Sequence, residues 1–174
     1  MRRTVVALTA LAAAALGAAP ASASASASAG SDAGWEPAPS TPWDVAAGVR
    51  CDFPVHGEPI VDEVVQRVLS THPDGSAKLV AYKGDLVIRV TNTDTGDFYD
   101  ADASGSALVD HGTDGSQFWT VLGPVLVGVG EGRGNLPRSL YIIDGAYTMD
   151  ISPTGYKTVT MAHGSRTDIC EQID

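Results

Sequence analysis

Between Arg50 and Asp174 the apolar residues return at every second position: Leu86, Ile88 and Val90 in one segment, Tyr141, Ile143, Tyr147, Met149 and Ile151 in another, Val159 and Met161 in a third. A period of two gives a strand one dry face and one wet face. Turn formers punctuate the pattern at Pro73-Asp74-Gly75, Lys83-Gly84, Asp94-Thr95-Gly96, Gly112-Thr113-Asp114-Gly115, Gly123-Pro124, Gly130 to Pro137 and Ser152-Pro153-Thr154-Gly155. Short strands with such regular punctuation predict an all-β chain. The stretch Asp97–His111 shows the same split with smaller residues. Ala101, Ala103, Gly105, Ala107 and Val109 share one face, Asp100, Asp102, Ser104, Ser106 and Asp110 the other, and Leu108 is the exception on the polar side. Small inward residues leave room for bulky neighbours, and Phe118 or Trp119, with Tyr141 or Tyr147, are the fillers at hand. Gly145, inside its strand, marks a bulge or a sharp bend.

One segment argues for a helix. Ile60, Val61, Val64, Val65, Val68 and Leu69 follow Pro59 at helical spacing. Its β-branched valines, and the turn at Pro73-Asp74-Gly75 that folds it back onto Ala77–Tyr82, favour a strand and a hairpin. Eight or so sequential strands make an antiparallel meander, expected to close into a single β-barrel, with a two-sheet β-sandwich as the alternative. Cys51 and Cys170 are the only cysteines. Outside the cytoplasm such a pair forms a disulfide, which requires Cα atoms within about 7 Å and so brings the two ends of the sheet together.

The amino-terminal pattern is different. Arg2 and Arg3 precede an uncharged apolar run, Val5 to Ala19, and then a small-residue stretch with repeated Ala-x-Ala sites from Ala21 to Ala29. This is the layout of a cleavable export signal over residues 1–29, and it predicts a secreted, extracellular product. The run falls short of the roughly 20 residues a membrane-spanning helix needs, so no membrane span is expected. Residues 30–49 are rich in Ala, Ser, Pro and Gly, with Trp35, Trp43 and Val45 as the larger apolar side chains, and read as a disordered leader to a domain at 50–174. Without the signal, 9 Lys and Arg stand against 21 Asp and Glu, a net charge of −12. Nucleic acid and anionic membrane surfaces are poor partners for such a chain.

Several segments together carry a likeness. Cys51-Asp52-Phe53-Pro54-Val55 opens the domain, Leu86-Val87-Ile88-Arg89-Val90-Thr91-Asn92 runs into Thr95-Gly96, Gly123-Pro124-Val125-Leu126 follows, and Thr167-Asp168-Ile169-Cys170 closes it. This arrangement resembles a group of small secreted actinobacterial proteins of unassigned function, with a signal peptide and two bracketing cysteines. The resemblance implies a secreted β-barrel-like domain and transfers no catalytic residue.

Motifs for chemistry are sparse. No Gly-x-Ser-x-Gly elbow occurs, and Ser165, after His163-Gly164, reads as a loop serine. Gly128-x-Gly130-x-Gly132-x-Gly134 has the composition of a phosphate loop without its Lys-Ser/Thr ending, and reads as a flexible hairpin loop. Asp94, Asp97, Asp100 and Asp102, with Asn92, carry oxygen donors for calcium but not in EF-hand order. Asp100 and Asp102 lie on one strand face that reads as solvated, which argues against a glycosidase pair. Asp110, His111 and Asp114 sit at a strand end and turn, where Asp110 or Asp114 could orient His111 as a base or metal ligand, but an exposed turn residue is the favoured reading of His111. His56, His72 and His163 are too scattered to form a ligand set. No catalytic, cofactor or metal residue is assigned. The expected function is a non-enzymatic β-barrel binding module that holds a ligand in its mouth or on its loop rim. The alternatives are an extracellular enzyme using carboxylate and His chemistry, or an envelope interaction module.

Overall fold

The structure, a computed structural model, describes residues 34–174. The expected export signal at 1–29 lies outside the described residues. In chain order the strands are β1 (Glu36–Pro37), β2 (Trp43–Val45), β3 (Val55–Asp62), β4 (Val65–Thr71), β5 (Ala77–Lys83), β6 (Leu86–Asn92), β7 (Phe98–Asp102), β8 (Ser106–His111), β9 (Gln117–Leu122), β10 (Val125–Val129), β11 (Ser139–Ile151) and β12 (Lys157–Asp168), followed by one 3-10 turn at Cys170–Gln172. They form an eight-stranded sheet, β1-β4-β5-β8-β9-β11-β10 with β12 also on β11, and a four-stranded sheet, β2-β3-β6-β7. Neighbouring strands pair antiparallel throughout. The segment from Pro59 to Leu69 is extended, as its valines argued, and is split by a bend into β3 and β4.

Consecutive strands are halves of longer ones. The register that sets Tyr82 opposite Ala107 in the large sheet runs on unchanged to Val87 opposite Asp102 in the small sheet. Likewise the register of Leu122 with Ala146 runs on to Val125 with Ile143. Extending these registers puts Gly84 opposite Gly105, Gly105 opposite Gly123 and Gly123 opposite Gly145, and Gly145 pairs directly with Gly164. A row of five glycines therefore crosses the fold where its long strands bend. Lys83-Gly84 and Gly123-Pro124, expected as turns, are bends inside strands. The chain reverses instead at Pro73–Gly75, Asp94–Gly96, Gly112–Gly115 and Ser152–Gly155.

No sheet closes into a barrel among the described residues, which corrects the expectation of a cylinder. Continued register would make β7 and β10 neighbours, yet the two separate just past the backbone bond from Gly105 N–H to the Pro124 carbonyl, 2.7 Å. The Leu86 N–H donates to Ser104 Oγ at 3.0 Å, holding the β7–β8 corner onto β6 and drawing β7 into the small sheet. The disulfide forms all the same. Cys51 and Cys170 are bonded with Cα atoms 5.4 Å apart. The bond links the segment entering β3 to the turn after β12, and so one sheet to the other, which brings the ends together without a cylinder.

Two sheets then share the core. Val55, Ile88, Val90 and Ala101 of the small sheet pack with Leu140 and Ile142 of β11 and with Ile169 and Ile173. The alternate residues Tyr141 and Ile143 face a second cluster with Val109, Val121, Tyr147 and Met149. This explains the continuous run Leu140-Tyr141-Ile142-Ile143, because that stretch of strand is dry on both faces. The small residues of Asp97–His111 face inward as the alternation requires, with Ala101, Ala103, Ala107 and Val109 buried and Leu108 exposed. Trp119, Tyr141 and Tyr147 fill the space beside Ala107 and Val109, whereas Phe118 is exposed. The expected leader contributes to the fold from Gly34 onward. Trp43 in β2 lies over Gly57 of β3, so closely that a Cβ there would collide with its ring, and Trp35 stacks under the Lys83 ammonium at 4.5 Å.

Tyr147 carries a cost within this core. Its hydroxyl is buried with no hydrogen-bond partner among the described residues, and burial pushes its pKa above the ordinary tyrosine value. An unsatisfied buried polar group costs about 1–3 kcal/mol, and its apolar isostere does not. Tyr147→Phe should therefore stabilise the protein by about 1 kcal/mol or more, read as a higher denaturation midpoint at unchanged m-value. A lower midpoint would mean that the hydroxyl has a partner.

Candidate functional site

Two hairpin tips are built by the same five-residue device. In His72-Pro73-Asp74-Gly75-Ser76 and Gly112-Thr113-Asp114-Gly115-Ser116 the first residue donates its N–H to the carbonyl of the fifth, at 2.8 Å in both. Each Asp accepts the Ser N–H, at 2.9 Å for Ser76 and 3.0 Å for Ser116, and the same Ser hydroxyl as well. These bonds from Ser76 and Ser116 hold the Asp74 and Asp114 carboxyls below the ordinary aspartate pKa. Gly75 and Gly115 supply the positive φ that ends each turn, 87° and 86°. The tips are tied together where His72 Nε2–H donates to the His111 carbonyl at 2.7 Å. Since a carbonyl only accepts, that bond places the neutral ring's proton on Nε2 and leaves Nδ1 as an acceptor.

Between the tips lies a groove of about 480 Å³ on the inner face of the large sheet. Register explains its lining. Gln66 opposes Tyr82 and Val68 opposes Val80 across β4 and β5, while Val80 opposes Val109 of the core across β5 and β8. Val68, Val80 and the Tyr82 ring form an apolar floor, and Gln66, His72, Ser76 and His111 supply hydrogen-bonding groups around it. Burial raises the Tyr82 pKa, so its hydroxyl stays protonated as a donor. A polar rim over an apolar floor suits a small molecule with one apolar face and several hydrogen-bonding groups.

The sequence offered Asp110 or Asp114 as orienting partners for His111, and the structure brings neither to its ring. Asp110 precedes it in β8, and successive strand residues point to opposite faces, so Asp110 faces outward beside Leu79 and Phe118. Asp114 is bound to Ser116. Among the described residues no carboxylate is bonded to the His111 ring. Its companion is His72, and the repeated Asp-Gly-Ser after each was the signal available in the chain.

The remaining candidates are dispersed. Asp100 takes a bidentate pair from Arg89 at 2.8 and 2.9 Å, which lowers its pKa, and Asp102 accepts the Ser104 N–H. Asn92 is buried, donating to the Ile173 carbonyl at 3.0 Å and accepting the Asp94 N–H. Three of the five side chains weighed for calcium, Asn92, Asp100 and Asp102, are thus engaged separately, and no group of three or more His, Cys, Asp or Glu side chains converges among the described residues. His56 Nδ1 meets Asp44 at 2.8 Å on the surface, and His163 and Ser165 lie exposed on β12. The loop after Gly128 is not free: Gly134 bridges to Lys157, and Asn135 both donates to and accepts from the Val159 backbone.

The chain matches no protein-family model, no curated protein and no solved structure. Among the described residues no helix is long and apolar enough to cross a membrane.

Proposed function

We propose that this is a secreted, non-enzymatic binding module that holds a small amphipathic molecule in the groove between its two Asp-Gly-Ser tips. The observation that carries this reading is the groove itself, whose apolar floor continues the core and whose rim presents Gln66, His72, Ser76 and His111. The signal layout of residues 1–29, the disulfide and the resemblance to small secreted proteins support the extracellular assignment. A two-sheet sandwich with a groove along one sheet replaces the barrel with a central mouth as the architecture of the reading. The enzymatic alternative draws no support from Asp110, which lies on the face opposite His111.

A thermal-shift screen of sugars, lipids and metabolites tests the assignment. A ligand at 100 times its Kd stabilises by about 2.7 kcal/mol, a rise of roughly 5–10 °C for a domain of this size. Val68→Trp, at a half-exposed floor position (43% exposed), should fill the groove and abolish the rise without unfolding the protein. A shift that survives Val68→Trp, or a screen with no stabiliser, would count against the groove.

A further inference from the structure

We propose that Arg50, Arg133 and Lys157 form a second site, an anion-binding cluster at the glycine-rich loop Gly128–Gly134 that takes a phosphate group. The site lies apart from the groove and does not depend on it. Three observations bring the cations together. Arg50 lies across the loop, close enough that a Cβ on Gly128 would come 2.8 Å from its Nε and one on Gly130 2.9 Å from a terminal guanidinium nitrogen. Arg133 flanks the same glycine, its Cγ 3.4 Å from a Cβ built on Gly130, and its N–H closes the turn onto the Gly130 carbonyl at 3.0 Å. The Lys157 N–H donates to the Arg133 carbonyl at 2.9 Å, and its side chain is near enough to Arg50 for that charge, after burial, to lower its pKa.

What sets the cluster apart is that, among the described residues of an acidic chain, none of its three cations is held in an ion pair. Of the acids nearby, Asp52 pairs with Arg138 and Glu131 stands 3.8 Å from it, while Asp168, Glu171 and Asp174 line the cleft beside Arg50 without an ion pair to it. Arg50 and Arg133 spend one terminal nitrogen each on neutral carbonyls, Val49 and Thr154. Among the described residues no carboxylate lies within ion-pair distance of Arg50, Arg133 or Lys157. Three like charges held together by a loop repel one another, and a bound dianion converts that repulsion into attraction. Guanidinium forks match the oxygens of a phosphate, and the glycines let side chains and ligand approach the backbone closely. The loop thus gains a chemical role by a route unlike a nucleotide-binding P-loop, whose helix is absent here.

The test is a titration of the ¹⁵N-labelled protein with inorganic phosphate at constant ionic strength. Saturable shifts at the amides of Gly130, Gly132, Arg133 and Gly134 are expected. Arg133→Gln, at an exposed loop position that spares the fold, and Arg50→Gln should each weaken binding about tenfold, the scale of one charge-assisted hydrogen bond. Arg89→Gln, which removes a cation paired with Asp100, should leave the titration unchanged. Glycerol phosphate in a parallel arm separates the sources: tighter binding than inorganic phosphate identifies a phosphorylated ligand, and equal binding identifies the free ion. Loop shifts that are absent, reproduced by chloride, or unaltered in Arg50→Gln and Arg133→Gln would overturn the site.

Discussion

Gly145→Ala and Gly164→Ala should each cost about 4 kcal/mol or more, a large share of the roughly 5–15 kcal/mol that holds an ordinary domain folded. The two glycines face each other across β11 and β12 with φ of 141° and 137°, in a region of backbone space that other residues occupy only under strain. Space is also lacking. A Cβ on Gly145 would come 2.7 Å from the Gly164 Cα and closer still to the His163 carbonyl, and one on Gly164 would come 2.8 Å from the Gly145 Cα. These obstacles are backbone atoms within a ladder, so relief requires breaking the pairing that forms the bend. Gly155→Ala is the control. Its φ is 80° with nothing within 4 Å, so it carries only the conformational cost of about 1–2 kcal/mol. Chemical denaturation of the three variants separates strain from collision. Equal losses at Gly145 and Gly155 would mean that the bend does not depend on close approach.

The second large effect is expected at the disulfide. Removing it with Cys51→Ala and Cys170→Ala should cost about 4–5 kcal/mol by the chain-entropy estimate and lower Tm by about 10–20 °C. The long separation of 119 residues underlies that figure. The bond also pins a short terminal segment that has little secondary structure of its own. Ile169 and Ile173 are fully buried in the first core cluster, and the Ile173 carbonyl accepts from buried Asn92. Hydrogen exchange in the cysteine-free protein should therefore rise first along β6 and the segment after β12. A reduced protein that melts at the same temperature as the oxidised one would show that packing alone holds the terminus.

Much of the local structure was legible from alternation. β6, β8 and the halves of β11 present the faces that period two demands, and even Leu108 is exposed where the pattern put it. The turns at Asp74-Gly75 and Asp114-Gly115 were legible as turns, though not as a matched pair enclosing a groove. Gly84 and Gly123 were misread because a glycine that ends a strand and one that bends it look alike in a chain. Only the register, which sets five glycines opposite one another, distinguishes them. Asp110 and His111 were joined by adjacency in sequence, although the same strand geometry that explains the core turns their side chains apart. Arg50 and Lys157 lie more than a hundred residues apart in the chain, and with Arg133 they meet only because the glycine loop returns to β12.

By itself, then, the amino-acid order determined the strand class, the dry and wet faces and the cysteine pairing, because each follows from local periodicity or from there being a single possible partner. Tertiary structure alone decided that β7 and β10 part into two sheets, that the glycines align into a bend and that His72 meets His111. Those outcomes rest on which strands become neighbours and in what register, and a period of two is satisfied equally well by a cylinder and by a stacked pair of sheets.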